Sequence, residues 1–289
     1  MGASVDAVYV QTYERTVRHL AQQGITRLRP WVMERAVHSE AHNWERLGTQ
    51  EAVQKTTRLA STPEQDYPWS RRQSVPLTWH TGDTTEHEDI VQMLVDPNSN
   101  IAVAQGKAMR RAHDDAIIAA ATGDSRDGEG NVVAFDANQT VGDGTVAINY
   151  DIVTAVTEKF MANDIDPDEE KVFVVSPEQA RKLLQLTEAT SGDYNAMRPL
   201  TSKGYIESWM GYSWLVSTRL ISEAGDGSDV DCFAMTRKAL GMQMNKDIWV
   251  RVAEDPTVSF AWRLYAASTF GAVRVEDEHL VRVHLSTTI

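Results

Sequence analysis

DPNSNIAVAQGKAMRRAHDDAIIAAATG, from Asp96 to Gly123, is the one continuous helix in the sequence long enough to serve as a beam for the rest of the chain. Asp96, Asn98, Ser99 and Asn100 offer side-chain oxygens to the orphan amides of a first turn, and Gly123 suits a left-handed stop. About 22 helical residues make a rod of about 33 Å. Ile101, Ala104, Ala108, Ala112, Ala116 and Ala119 recur at three- or four-residue spacing, so one face is apolar, small and open to the close approach of a sheet. The other sides carry Lys107, Arg110, Arg111, His113 and Asp114, and the spacing predicts pairs from Arg110 to Asp114 and from Arg111 to Asp115. Asp115 falls on the alanine stripe, where a carboxylate needs a partner. Taken alone this is also an ordinary amphipathic helix, and its flanks carry the decision.

Upstream, Val5 to Arg46 is helix-prone but poorly amphipathic and is broken at Gly24 and Pro30, which predicts an arm lying on something else. His38 and His42 of HSEAH stand four apart as in a zinc-protease helix, but Ser39 occupies the place of the catalytic Glu, which leaves a surface helix. From Leu47 to Glu88 the chain is rich in Thr, Arg, Gln and Ser, with Pro63, Pro68 and Pro76 along it. Val53 to Leu59 and Ser74 to His80 alternate apolar and polar residues, which predicts a two-stranded ribbon with STPEQDYPWSRR as its tip. Such a ribbon is barely stable alone and needs a surface to lie on. An active-site lid is the rival reading. The acidic group from Asp83 to Asp89 reads as the cap of a short helix running to Leu94.

Downstream, the Asp127-Gly128 and Glu129-Gly130 steps predict a hairpin before Val132. Asn149 to Asn163 is a second amphipathic helix, and KVFVVSPEQARKLLQL is a strand that turns into a helix, with Ser176 and Gln179 as a capping box around Pro177. Tyr205 to Leu220 reads as strand, turn and strand around Gly211, and Cys232 to Met235 as a short strand, which gives an α/β unit. Asp247 to Val252, Val258 to Ala267 and His279 to Leu285 read as three long strands expected to pack on the alanine face of the helix.

At 289 residues and 42% hydrophobic content the chain can bury a large core, and it lacks both a run of about 18 apolar residues and a secretory leader, so neither a membrane span nor secretion is expected. The single Cys232 excludes an internal disulfide and a multi-cysteine metal site. A net charge of −13 argues against a protein that grips DNA phosphates, and suits a surface that lies near nucleic acid without adhering. No G-x-S-x-G elbow, phosphate-cradling loop or calcium-loop spacing is present, so no catalytic, cofactor or metal residue is assigned.

An arm, a two-stranded excursion, a long helix, an inserted α/β unit and a return through long strands follow in that order. The chain thereby resembles the tailed-bacteriophage major capsid proteins of the HK97 fold, an α+β architecture, and in particular their podovirus-type branch. The resemblance lies in QQGITRLRPWVMERAVHSEAHNWERLG, the TP of STPEQDYPWSRR with its arginines, RRAHDDAIIAAATGD, KVFVVSPEQARKLL and GAVRVEDEHLVRVHL, and covers nearly the whole chain. It implies an N-terminal arm at 1–46 and an extended loop (E-loop) at 47–88. A P-domain at 89–145, with a spine helix at 100–122, would resume at 255–289, and an inserted A-domain would fill 146–254.

The resemblance further implies a non-enzymatic coat protein that self-assembles as pentamers and hexamers into an icosahedral virion shell around double-stranded DNA, in the host bacterial cytoplasm. Its implied partners are copies of itself, a separate scaffolding protein, a portal protein and a decoration or cement protein. DNA would be enclosed without sequence-specific binding, and no membrane is involved. Tyr67, Trp69, Arg71 and Arg72 at the loop tip are the expected inter-subunit contacts, with Arg110, Arg111, Asp114 and Asp115 as spine-helix ion pairs. Some relatives cross-link the extended loop through a Lys to Asn bond; the only lysine here is Lys55, away from the expected tip, so no covalent mesh is expected. An encapsulin-like shell and a hydrolase with residues 47–88 as a lid are the alternatives.

Overall fold

KVFVV offers water no polar face, and Lys171–Val175 is accordingly an inner strand, buried along its whole length, in the computed structural model. The structure describes residues 22–64, 66–86, 97–186, 206–222, 225 and 227–288. Its strands are β1 Met33–Ala36, β2 His42–Leu47, β3 Trp69–Ser74, β4 Leu77–Thr85, β5 Ser125–Arg126, β6 Val132–Val133, β7 Thr140–Val141, β8 Lys171–Val175, β9 Ser208–Trp209, β10 Tyr212–Val216, β11 Asp229–Thr236, β12 Leu240–Asp255, β13 Ala261–Arg274 and β14 Leu280–Ser286. The α-helices are α1 Pro97–Thr122, α2 Tyr150–Ala162 and α3 Pro177–Leu183. Two compact units divide the chain, one from Met1–Ile25, Trp79–Arg111 and Ile248–Ser268, the other from Thr26–Thr78, Ala112–Asp247 and Thr269–Ile289.

The second unit is built on a six-stranded sheet in the order β7-β14-β11-β8-β10-β9. Alternation along its strands sends side chains to two cores. Phe173, Val175, Cys232, Ala234, Val281, Val283 and Leu285 face Val153, Val156 and Phe160 of α2 and Leu183 of α3. Val172, Val174, Phe233, Met235 and Leu280 face Ile117, Ile118, Ala120 and Ala121 of α1, with Leu28 and Val32. Burying Ile117 and Ile118, at 0% and 1% exposure, contributes about 2 kcal/mol each. The helix ends at Thr122 as expected, but not through a left-handed glycine: Gly123 is not at positive φ, and its amide makes an ordinary helical bond to the Ala119 carbonyl at 2.9 Å. Asn149 caps α2 through the Ile152 amide at 2.8 Å, and Asn163 closes it.

Several expectations need correction. The three C-terminal strands do not form one sheet: β12 and β13 are neighbours in a four-stranded sheet of order β1-β12-β13-β4, whereas β14 pairs with β11 from Leu280 opposite Met235 to Ser286 opposite Asp229. HLVRVHL is buried at Leu280, Val281, Val283 and Leu285, and so belongs inside a two-sided sheet. The HSEAH helix is absent; His42 instead opens β2, and β1 lies parallel to β12. Ser176 accepts from the Gln179 amide, but the Gln179 side chain does not complete the box: it accepts from the Ile148 amide at 2.8 Å and donates to the Ser286 carbonyl at 2.6 Å. Asp83 lies in β4 rather than in a cap, and the expected helix to Leu94 falls largely outside the described residues.

In the first unit, Tyr265 of β13 stacks with His80 of β4 at 6.0 Å and meets Trp249 of β12 edge-on at 5.4 Å. The connection between β12 and β13 turns through Ser259 and Phe260, both at positive φ, and Asp255 accepts from Thr257 and Arg263 there.

Candidate assembly surface

HNWERL and WSRRQS pair antiparallel, His42 opposite Ser74 and Leu47 opposite Trp69, to make the ribbon β2–β3. The ribbon is held to the body through Trp44. Trp44 packs with Val273 and Val275, its indole Nε1 donates to the Ser74 hydroxyl at 3.2 Å, and that hydroxyl donates to Gln243 Oε1 at 2.9 Å. Gly241 makes room for the indole, since a Cβ there would lie 2.5 Å from Trp44.

Beside this anchor three arginines converge on one carboxylate. Arg274, with its side chain wholly buried, donates from Nε to Asp277 at 2.5 Å, from Nη2 to the Ala134 carbonyl at 3.3 Å, and from Nη1 to the Gly123 carbonyl at the end of α1. Its guanidinium also lies 4.6 Å from the Phe135 ring centre. Arg72 reaches the other Asp277 oxygen at 2.6 Å, and Arg46 spans Glu276, Asp277 and Glu278 at 3.3 to 3.7 Å. Burial pushes the Asp277 carboxyl up, but the hydrogen bond and charge of Arg274, with the charge of Arg72, outweigh it and leave the group below the usual carboxylate range. The cluster ties β2, β3, the end of α1 and the β13–β14 turn together.

Beyond the anchor the chain leaves the body. Every described residue from 47 to 71 is exposed, including Val53 at 64%, Leu59 at 88%, Tyr67 at 55% and Trp69 at 68%. Val53 to Leu59 does not form the expected strand; β3 takes β2 as its partner instead, and the ribbon lies nearer the body than the sequence pattern placed it. The tip is also elsewhere: the Ala60 amide donates to the Thr57 carbonyl at 3.4 Å, so Arg58 and Leu59 sit at the turn. Of the four expected inter-subunit residues, Tyr67 and Trp69 are exposed. Arg71 pairs at 2.9 Å with Glu45 across the ribbon, and Arg72, 7% exposed, is committed to Asp277 of its own chain. Arg72 is therefore no grip on a neighbour, because releasing it would strip a buried ion cluster.

The four spine residues are all engaged, with distant segments. Arg110 donates to the Gly24 carbonyl at 2.6 Å and Arg111 to Gln22 Oε1 at 2.7 Å. Asp114, 2% exposed, accepts from the Arg27 amide at 3.0 Å and the Leu28 amide at 3.2 Å, fixing the start of the segment that carries Leu28 and Val32 into the core. Asp115 takes Arg219 in a two-pronged pair, with Nε at 2.7 Å. The Asp115 pair is partly exposed, so the carboxylate that is buried is Asp114. Sequence reasoning missed Arg46, Arg274, Asp277 and Arg219; only the Arg274 to Asp277 spacing inside GAVRVEDEHLVRVHL carried a local signal.

Among the described residues no group of three His, Cys, Asp or Glu side chains is placed to hold a metal ion. Cys232 is wholly buried in β11, and burial pushes its thiol up to about 12, which removes its nucleophilicity at neutral pH. No described helix is long and apolar enough to cross a membrane.

The sequence profile of a family described as phage capsid protein matches residues 5–286. No curated protein sequence matches the chain. Among solved structures the chain is similar to the capsid of cyanophage P-SCSP1u, at 13% identity and a TM-score of 0.75 over 99% of this chain and 95% of that one. It is similar also to a chain of Mycobacterium phage Che8, at 14% identity and a TM-score of 0.72 over 97% and 98%, and to the mature capsid of bacteriophage PhiM1, at 15% and 0.72 over 96% and 92%. At these identities the likeness is one of fold, the HK97-like α+β fold. Matched by the family profile over nearly its whole length, this chain belongs to the phage capsid protein family.

Proposed function

We propose that the chain is a major capsid protein whose copies assemble as pentamers and hexamers into the icosahedral shell around the double-stranded DNA of a tailed phage, with no catalytic role. The observation that carries this reading, beside the family, is the stretch from 47 to 71, whose described residues are all exposed, with five large apolar side chains, Leu47, Val53, Leu59, Tyr67 and Trp69, in water. Such a segment buries none of its large apolar side chains on its own chain and is ordered by a partner surface. Interfaces of about 800 Å² per partner, repeated around every subunit, sum to a pressure-bearing wall. The net charge of −13 keeps packed DNA from adhering to that wall.

In this reading residues 1–46 are the N-terminal arm, 47–88 the extended loop, 89–145 and 255–289 the P-domain, and 146–254 the A-domain around local symmetry axes. Assembly takes place in the host cytoplasm with a separate scaffolding protein, a portal protein and a decoration protein. The test is co-expression with the scaffolding protein followed by sedimentation and negative-stain microscopy. Uniform procapsids with the partner, and capsomers or irregular shells without it, are expected. Uniform, correctly sized shells from this chain alone would contradict a separate scaffold.

A further inference from the structure

In the second unit a cleft of about 690 Å³ opens along the outer edge of β10, within the range of about 300 to 1,000 Å³ that takes a bound ligand. Trp214, Leu215 and Val216 line it in succession, so the edge of the strand, and not one face, forms its long side, about 10 Å in length. β9 pairs with β10 only as far as Ser208 opposite Ser213, and the Glu207 carbonyl takes the Trp214 amide at 2.9 Å. The Ser217 amide turns to β8, on the Val175 carbonyl at 2.9 Å, so by alternation the Val216 amide faces outward, where no described strand reaches it.

The floor is apolar and held in place. Ala180 and Leu184 pack on the same core as Trp214, whose indole stacks on the Phe173 ring at 4.5 Å between centres and donates to the Trp209 carbonyl at 3.2 Å. The rim is basic. Arg181 comes from α3, on one face of the sheet, and Arg27 from the segment that carries Leu28 into the core on the other. Arg181 makes no hydrogen bond or ion pair among the described residues, and the Arg27 guanidinium is bonded to a neutral group, the Val216 carbonyl. Among the described residues no acidic side chain lines the cleft; Glu178, three residues before Arg181, lines a separate cavity. In a chain of net charge −13 two arginines without a carboxylate are a local exception, and both border one apolar floor.

We propose that this cleft is a docking site for a peptide of a separate protein that carries an acidic side chain next to a large apolar one. The apolar side chain lies on Trp214, Ala180 and Leu184, and the carboxylate takes Arg181 and Arg27 in charge-assisted hydrogen bonds. A peptide carbonyl takes the Val216 amide, as an extended segment does when it lies along a sheet edge. The arginines select the charge, the floor selects the apolar neighbour, and the strand edge favours an extended backbone over a compact small molecule. The inference goes beyond the shell reading and rests on it only for the bearer of the peptide, the separate assembly partner; the binding itself needs no shell.

The test is fluorescence anisotropy of a fluorescein-labelled octapeptide of alternating leucine and glutamate, titrated with the full unassembled chain. Saturable binding is expected, although the rest of the chain repels such a peptide. Arg181→Glu should weaken it about tenfold or more with an unchanged circular dichroism spectrum, since Arg181 is exposed and makes no bond among the described residues. Arg126→Glu, the same charge change outside the cleft, should alter it less than about twofold. A version with glutamine in place of glutamate should bind about tenfold more weakly and be indifferent to Arg181→Glu. No saturable binding, or equal losses from Arg181→Glu and Arg126→Glu, overturns the proposal and leaves the shell reading standing. Binding that appears only when residues 187–205 are replaced by a short linker would give the cleft to that segment of the same chain, and a loss of self-association in peptide-free Arg181→Glu would give it to a second copy; either result overturns a separate partner. Failure to form shells with peptide binding intact counts against the shell reading alone.

Discussion

Asp114 and Asp115 are sequence neighbours held by different chemistry. Asp114 is buried on two backbone amides, whereas Asp115 lies at the surface with Arg219. Asp114→Ala leaves those two amides without their acceptor and should cost about 3 kcal/mol; Asp115→Ala should cost under about 1 kcal/mol, because an exposed pair is screened. Denaturant unfolding of the unassembled chain measures both, and equal losses would contradict the assignment. His113, at 0% exposure and edge-on to Phe270 at 4.3 Å, is the second residue of this kind. Burial, helped by the charge of Arg29, lowers it from 6.5 to about 4. Its unfolded form therefore binds the proton first, so stability is full above about pH 6.5 and falls between there and about pH 4, by roughly 3 kcal/mol. His113→Gln should flatten that part of the profile. Asp277, lowered instead, contributes a loss that begins only below its unfolded value near 3.8, so the two windows separate. The alanine spacing placed Asp115 on the buried face, but that stripe is not the face that goes inward: Ala119 is exposed, and His113, Asp114, Ile117 and Ile118 are the buried residues. The partner of Asp115 was not legible, because Arg219 is 104 residues away and no local pattern encodes such a distance.

Arg71 and Arg72 show the same contrast at the level of the ribbon, where strand alternation sends one outward and the next inward. Arg72→Ala should cost about 3 kcal/mol by leaving Asp277 underpaired in a buried cluster, and Arg71→Ala under about 0.5 kcal/mol, its pair with Glu45 being about half exposed. Thermal unfolding of the two variants separates them; equal losses would mean that the register of β2 with β3 is wrong. Elements with a strong local signal were legible: α1 to its end at Thr122, α2 between Asn149 and Asn163, the KVFVV strand and the turn at Gly211. Elements defined by a distant partner were not. The alternation of Val53 to Leu59 suggested a strand, but β3 chose HNWERL, where Trp44 has its slot at Gly241. HLVRVHL showed its period, but nothing local said that it would join β11 rather than β13.

For the whole molecule, the order of parts was legible because each part has its own composition: a Thr- and Pro-rich excursion, an alanine-rich helix, a valine-rich sheet. That order, rather than any single site, identified the family. The site itself was half legible. Trp69 and Tyr67 were singled out and are exposed, but the turn at Arg58 and Leu59 was passed over, since a leucine in a polar stretch gives no sign of positive φ. In the proposed shell this exposed excursion is covered by other copies. Cryo-electron microscopy of particles formed with the scaffolding partner tests it most directly. Icosahedral shells of pentamers and hexamers are expected, in which residues 47–71 lie on a neighbouring subunit and lose their solvent exposure. A chain that stays monomeric, or shells in which that stretch remains in solvent, would contradict it.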